Sequence, residues 1–345
     1  MESITSLIVG IALVAVTATD LIYTAFAPRG SGIISGPVTF AVWRLFFYAG
    51  RLTKGRAALT GAGVVIVFTI LMTWVLLLWA GNYFIYASDK AAVVSSTSHI
   101  PADNLERIYF TGYTLSTLGN GDFVPGTDGW KIYTAFISFT GLMFITIAIT
   151  YMVPVLSAVT RRRALSIRIA SIGSSPQRIL LDNWDGTDFK KLEDQFQSLT
   201  SEIIHQGQMH LSYPVLHYFQ HEDKEASLLP NLAALDEAIT ILLLYIPERL
   251  RPEDQYLVPL RKAITTFLDS ITSLYINPDK SDVPALEAGE LRQAQVPLLQ
   301  PDMQAFGELS KRRRALKAMV EYNGWKWKEI SAPVLNTEMD LPSML

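Results

Sequence analysis

The residues with the clearest chemical potential run Thr114-Leu115-Ser116-Thr117-Leu118-Gly119-Asn120-Gly121-Asp122, between two long apolar stretches. Glycines at 119 and 121 lack a Cβ and accept backbone angles that place successive carbonyls on one side of an extended strand. Carbonyl oxygens arranged in a ring can replace the water shell of a cation. One short loop supplies only one side of such a ring. The sequence holds a single loop of this kind and no internal repeat of it, so closing a ring takes several copies of the chain around an axis.

The same stretch resembles the pore loop and selectivity filter of the tetrameric potassium-channel superfamily, whose pattern is T-x-T-T-V-G-Y-G-D. Agreement falls at Thr114, Thr117, Gly119, Gly121 and Asp122, Leu118 replaces Val, and Asn120 stands where the family has Tyr or Phe. The resemblance implies a K+ or Na+ path lined by the carbonyls of Thr117, Leu118, Gly119 and Asn120, with the Thr117 hydroxyl closing its inner end. It implies a short pore helix within Leu105 to Leu118, where Tyr109, Phe110 and Thr114 buttress the filter. Asp122 and Asp128 would enrich cations at the outer mouth, and a hinge or gate would lie at Gly141, Tyr151 and Pro154 on the inner helix. Asn120 in place of an aromatic removes ring packing behind the filter. Three readings follow: a potassium channel, a non-selective sodium and potassium channel, or a non-conducting membrane scaffold for signalling.

The elements that would position this loop are legible as apolar runs. Ile4 to Phe26 is long enough to cross about 30 Å of hydrocarbon at about 1.5 Å per residue, and Asp20 interrupts it. A carboxylate at that depth needs a partner or a route to water, such as inner headgroups or an arginine. Gly36 to Gly50 is shorter and flanked by Arg29, Arg51, Lys54 and Arg56, with Arg44 inside it, and reads as an amphipathic element along the inner leaflet. Ala57 to Tyr86 reads as the outer pore helix and Trp130 to Val159 as the inner one, ending in Arg161-Arg162-Arg163. The basic residues at these ends place them in the cytoplasm and the amino terminus outside, extracellular or periplasmic. Asp103 and Glu106 suit the positive end of the pore helix. No span carries a regular arginine series, which argues against a voltage sensor.

The chain has 345 residues, 50% of them hydrophobic, a net charge of -3 and no cysteine, with a mean hydropathy of +0.25. Without cysteine, neither a disulfide framework nor a thiolate metal site is possible. No basic block suggests a nucleic-acid partner, and no nucleophile-base pattern, glycine-rich nucleotide loop or calcium loop suggests an enzyme or an organic cofactor. The expected fold class is therefore an all-α membrane protein: a homotetrameric pore-loop channel with an added N-terminal transmembrane helix and a helical cytoplasmic domain. The expected domains are 1–56, 57–163 and 164–345, multi-pass in the cell membrane.

In the polar half, Arg178 to Asp188 reads as a connector. Helices are expected over Phe189 to Met209, Pro214 to Gln220, Leu229 to Tyr245, Asp254 to Tyr275, Val283 to Gln295 and Asp302 to Tyr322. His205, His210, His217 and His221 cluster, and His217 and His221 at i and i+4 would share a helix face that one soft metal can bridge. Surface histidines or a proton sensor are the alternatives. Lys311 to Arg314 reads as a solvated or lipid-facing run, and Trp325 and Trp327 as interface aromatics. No cytoplasmic ligand is indicated.

Overall fold

A computed structural model describes residues 2–27, 32–53, 57–275, 286–300 and 303–331. Arg29, Lys54, Arg56, Asp302 and the first part of the expected helix at 283–295 lie outside the described residues. The chain forms two compact units. One holds the N-terminal helices up to Thr53 together with Gly61–Ser157 and Ser212–Phe219. The other holds residues 57–60, Ala158–Leu211 and the described residues from Gln220 onward.

In the first unit, α1 (Glu2–Phe26) packs along α4 (Ala62–Ala87). Both are apolar and open to the outside along one side, as Ile4, Ile8, Phe68 and Leu76 illustrate. Their backbones approach through small residues: a Cβ on Gly10 would stand 2.6 Å from the Gly81 carbonyl oxygen. Such small-residue crossings are what packing in lipid favours. Near the start of α1, the Ser6 hydroxyl donates to the Phe84 carbonyl at 2.7 Å, pinning the end of the pair.

Asp20 is only 2% exposed, and among the described residues its polar partners are backbone N–H groups and an indole. Its carboxylate accepts from the backbone N–H of Ile34 at 2.7 Å, from that of Ser35 and from Trp74 Nε1 at 2.7 Å. Those N–H groups open α2 (Ser35–Thr53), so the carboxylate caps a helix on which it does not lie and meets its positive dipole end. Gly32 is required beside it, because a Cβ there would overlap the carboxylate. One side of the α2 helix is covered and another open: Trp43 is buried, while Phe40, Leu45 and Tyr48 are exposed. The Arg44 guanidinium lies 5.4 Å from the Phe40 ring centroid.

Beyond the four-residue helix α3 (Ala57–Thr60) and α4, a two-stranded antiparallel ribbon joins β1 (Val93–Ser95) to β2 (Phe123–Pro125) and brackets the helix α5 (Asn104–Leu115). The next helix, α6 (Asp128–Ile172), is longer than the sequence suggested. Its 45 residues, about 67 Å at the α-helical rise, run through Arg161-Arg162-Arg163 without a break.

The second unit is built on the end of α6, α7 (Pro176–Leu181), α8 (Leu192–Ser212), α9 (Leu228–Tyr245), α10 (Asp254–Tyr275), α11 (Gly289–Gln293) and α12 (Met303–Tyr322). The expected connector at 178 is thus partly helical, because Ser175 caps and Pro176 opens a turn ahead of it. Four described helices are long and apolar enough to cross a membrane: α1, α4, α6 and α9. Among these, α9 is enclosed on nearly all sides by its own unit's core. Its apolar run serves burial in protein, and three helices are left to span. The molecule is a multi-pass, all-α membrane protein with a helical C-terminal region.

Two further readings are corrected by this core. Arg312 and Arg313 do not face water: Arg312 holds the fully buried Asp236 of α9 at 2.6 Å, and Arg313, 2% exposed, pairs in two places with Glu237 at 2.6 and 2.7 Å. Trp325 and Trp327 are buried in the same core and form no exposed aromatic patch.

Candidate functional site

The α5 helix starts and stops by rules that its sequence obeys. At its start Asp103 and Glu106 form a reciprocal cap: the Glu106 N–H donates to the Asp103 carboxylate at 2.9 Å, and the Asp103 N–H to the Glu106 carboxylate at 2.7 Å. At its end the Leu118 N–H donates to the Tyr113 carbonyl at 2.9 Å, and the Thr117 N–H to the Thr114 carbonyl at 3.1 Å. This paired closure requires a left-handed residue between, and Thr117 takes it with φ of 59°. A β-branched residue is strained there, where glycine would rest without cost. The helix stops at Leu115, three residues before the expected limit, because this closure ends it.

From Thr117 the backbone alternates in hand. Gly119 and Gly121 have φ of 60° and 81°, while Leu118 and Asn120 remain at negative φ. The loop from Ser116 to Asp122 is exposed in the single chain, and nothing lies near the open side of either glycine. It stands at the carboxyl end of α5, where the negative end of the helix dipole favours a cation. The Asn120 amide donates to the Tyr109 hydroxyl, tying the loop back to its own helix with a polar contact where the potassium-channel pattern has a ring.

Aromatic and glycine contacts hold α5 in place. Phe110 is buried edge-on against Tyr86 of α4, with ring centroids 5.1 Å apart. Tyr113 donates its hydroxyl to the Phe123 carbonyl beyond the loop at 2.7 Å. Trp79 Nε1 donates to the Ile108 carbonyl at 2.9 Å, and a Cβ on Gly112 would stand 2.6 Å from that indole. Thr114 is buried on the helix. A half-open apolar groove of about 280 Å³ lies beside the root of the loop, lined by Val75, Trp79, Leu115 and Phe144.

The remaining predicted positions fall as follows. Asp122 is exposed, whereas the exposed Asp128 is paired with Lys131 at 2.9 Å, which offsets its charge. Gly141 is buried against α5, and a Cβ on it would overlap the Leu115 carbonyl oxygen, so its observed use is close approach of two backbones. Tyr151 is buried and Pro154 sits inside continuous α6. The shared α-helical face of His217 and His221 does not form: Pro214 starts a 3-10 turn that ends at Tyr218. Burial, then Arg162 and Arg163, hold His221 below the usual imidazole range. Among the described residues, no three His, Asp or Glu side chains converge to hold a metal. Sequence reasoning missed Asp89, whose carboxylate accepts from the Ala91 N–H at 2.9 Å and from Trp130 Nε1 at 2.8 Å, tying the turn after α4 to the start of α6. The acceptor spacing Asp89 to Ala91 was its only local signal.

Three long apolar helices around a capped short helix and an exposed glycine loop define a channel-like membrane protein. Residues 64–158 match the family model described as Ion channel. Over 297 residues the chain is 31% identical to the Uncharacterized membrane protein YdjJ of Bacillus subtilis (strain 168), covering 85% of this chain and 87% of that protein. The chain belongs to the membrane-protein family of YdjJ, and the segment that matches the ion-channel model lies within it. No solved structure matches the chain significantly. The ion-channel match supports a role in conduction across the membrane and speaks for transport over catalysis.

Proposed function

We propose that four copies of this chain form a passive pore for monovalent cations, potassium foremost. The alternating backbone of Thr117, Gly119 and Gly121 carries this reading. Residues that alternate in hand turn successive carbonyls to the same side, so four converging loops supply stacked rings of oxygens. The carbonyls of Thr117, Leu118, Gly119 and Asn120 are the layers, and Asp122 is the free charge at the mouth. The pore domain is 57–163, preceded by the N-terminal helices of 1–56 and followed by a cytoplasmic domain from 164. The amino terminus then lies outside. The exposed apolar face of α6, with Leu142, Ile145, Ile149 and Val153, suits lipid or neighbouring copies.

A second reading, a pore that passes sodium as readily, is favoured by Asn120. One amide contact to Tyr109 braces the loop less than a packed ring does. Purified protein in liposomes decides between them by reversal potential when sodium replaces potassium. A large shift supports potassium, a small one the non-selective pore, and no flux ends both. Asn120→Tyr is expected to raise the potassium preference roughly tenfold, equivalent to about 1.4 kcal/mol.

A further inference from the structure

The eight residues Ser212–Phe219 lie within the C-terminal half of the sequence, yet they belong to the compact unit of the spanning helices. The chain leaves the other unit at Leu211 and returns to it at Gln220. Pro214 opens a 3-10 turn in this strip, and Val215, Leu216 and His217 are buried.

Three aromatic residues of the strip meet three different helices. The Tyr213 ring stands edge-on to Tyr151 of α6, with centroids 5.9 Å apart. The Tyr218 ring lies 5.2 Å from that of Trp43, the buried face of α2. Phe219 lies flush on α4 at Gly63, where a Cβ would come within 2.6 Å of its ring. Gly63 is therefore a seat for that ring.

The place where the strip meets α6 matters most. Pro154 has no N–H for the Thr150 carbonyl and its ring crowds that turn, so α6 bends most readily there. The Thr150 hydroxyl donates to the Thr146 carbonyl at 2.8 Å, a side-chain bond that further favours bending. Tyr151 lies just before this weak turn, and Ser157, where α6 passes into the other unit, just after it. The strip and α6 thus make two covalent links between the same units, with the hinge enclosed between them. A bend at Pro154 moves Tyr151 relative to the residues beyond Ser157, and the strip, anchored at both of its ends, must yield at Tyr213 or resist.

We propose that Ser212–Phe219 is the regulatory linkage of the pore, a brace through which the C-terminal unit sets the bend of α6 at Pro154. This rests on the channel reading. Single-channel recording of the full-length protein tests it. Tyr213→Ala is expected to change open probability at least about fivefold, the low end of ordinary coupling between sites, with unit conductance and reversal potential unchanged. Tyr213→Phe keeps the ring and the wild-type value. Pro154→Ala stiffens the helix and abolishes the response to Tyr213→Ala.

The protein has no cysteine, so Tyr151→Cys with Tyr213→Cys can be bridged by a short bifunctional thiosulfonate on a clean background. Bridging is expected to fix open probability, and reduction to release it. This arm also serves if Tyr213→Ala fails to reach the membrane. Bridging without effect, failure to bridge, or an unchanged open probability in Tyr213→Ala overturns the linkage while leaving the channel standing. A wild type without flux removes the channel reading itself.

Discussion

In the unit of the apolar helices, close approach falls at glycines: Gly10 on Gly81, Gly141 on the Leu115 carbonyl, Gly112 on an indole. In the C-terminal unit a helix as apolar as a span is buried among large side chains, and its two carboxylates are neutralised by Arg312 and Arg313. The difference follows from the surroundings. Lipid gives helices no hydrophobic reason to associate, so close approach and single hydrogen bonds must hold them. Water gives that reason freely, and the C-terminal unit can then afford ion pairs inside a deep core.

Breaking the second region should have the largest effect. Arg313→Met leaves Glu237 buried without its ionic partner and is expected to cost about 3–5 kcal/mol, read as a fall in the unfolding midpoint. Arg313→Met combined with Glu237→Leu should recover most of that loss, which shows whether the pair or merely its integrity matters.

Breaking the first region should cost less stability and more function. Gly141→Ala forces α6 from the Leu115 carbonyl, an overpacking worth about 1–3 kcal/mol, and displaces the root of the loop. Flux should fall to background while the protein still purifies. Wild-type flux in this variant would mean that the contact does not position the loop.

Smaller still is Thr117→Gly, which relieves a left-handed threonine and should gain roughly 1 kcal/mol. Raised stability with lost conduction would separate the strain of that position from the use of its hydroxyl.

The smallest effect is a slope with pH. Lys224 donates to the carbonyls of Ser174 at 2.8 Å and Ile330 at 3.1 Å, and burial pushes its pKa from 10.5 down to about 8. Between those values the unfolded chain holds more protons than the folded one, so this group makes stability rise with pH through that window and contributes no slope below it. Subtracting the Lys224→Met curve from the wild-type curve should isolate the rise.

Much of this was legible in the sequence. Apolar length marked α1, α4 and α6, Asp103 with Glu106 marked the start of α5, and three- and four-residue spacing marked α8 and α10. The closure at Thr117 was hidden because threonine is an unusual residue for it. Arg312 and Arg313 looked solvated because their partners lie 76 residues earlier in the chain, on another helix. The end of α6 was set too early because three arginines signal an interface but do not break a helix. For the loop residues 117–121, the sequence indicated the glycine positions that the backbone now uses, while the tie of Asn120 to Tyr109 depended on a rotamer no spacing encodes.

The carboxylate of Asp20 bears on how the protein is made. As the ribosome delivers the chain, α1 emerges before either α2 or Trp74, so its acid must enter the bilayer ahead of the groups that will satisfy it. A version trimmed to begin at α4 would in turn leave the indole of Trp74 without its acceptor. The first helix thus supplies the acceptor on which both the opening of α2 and the indole of α4 depend.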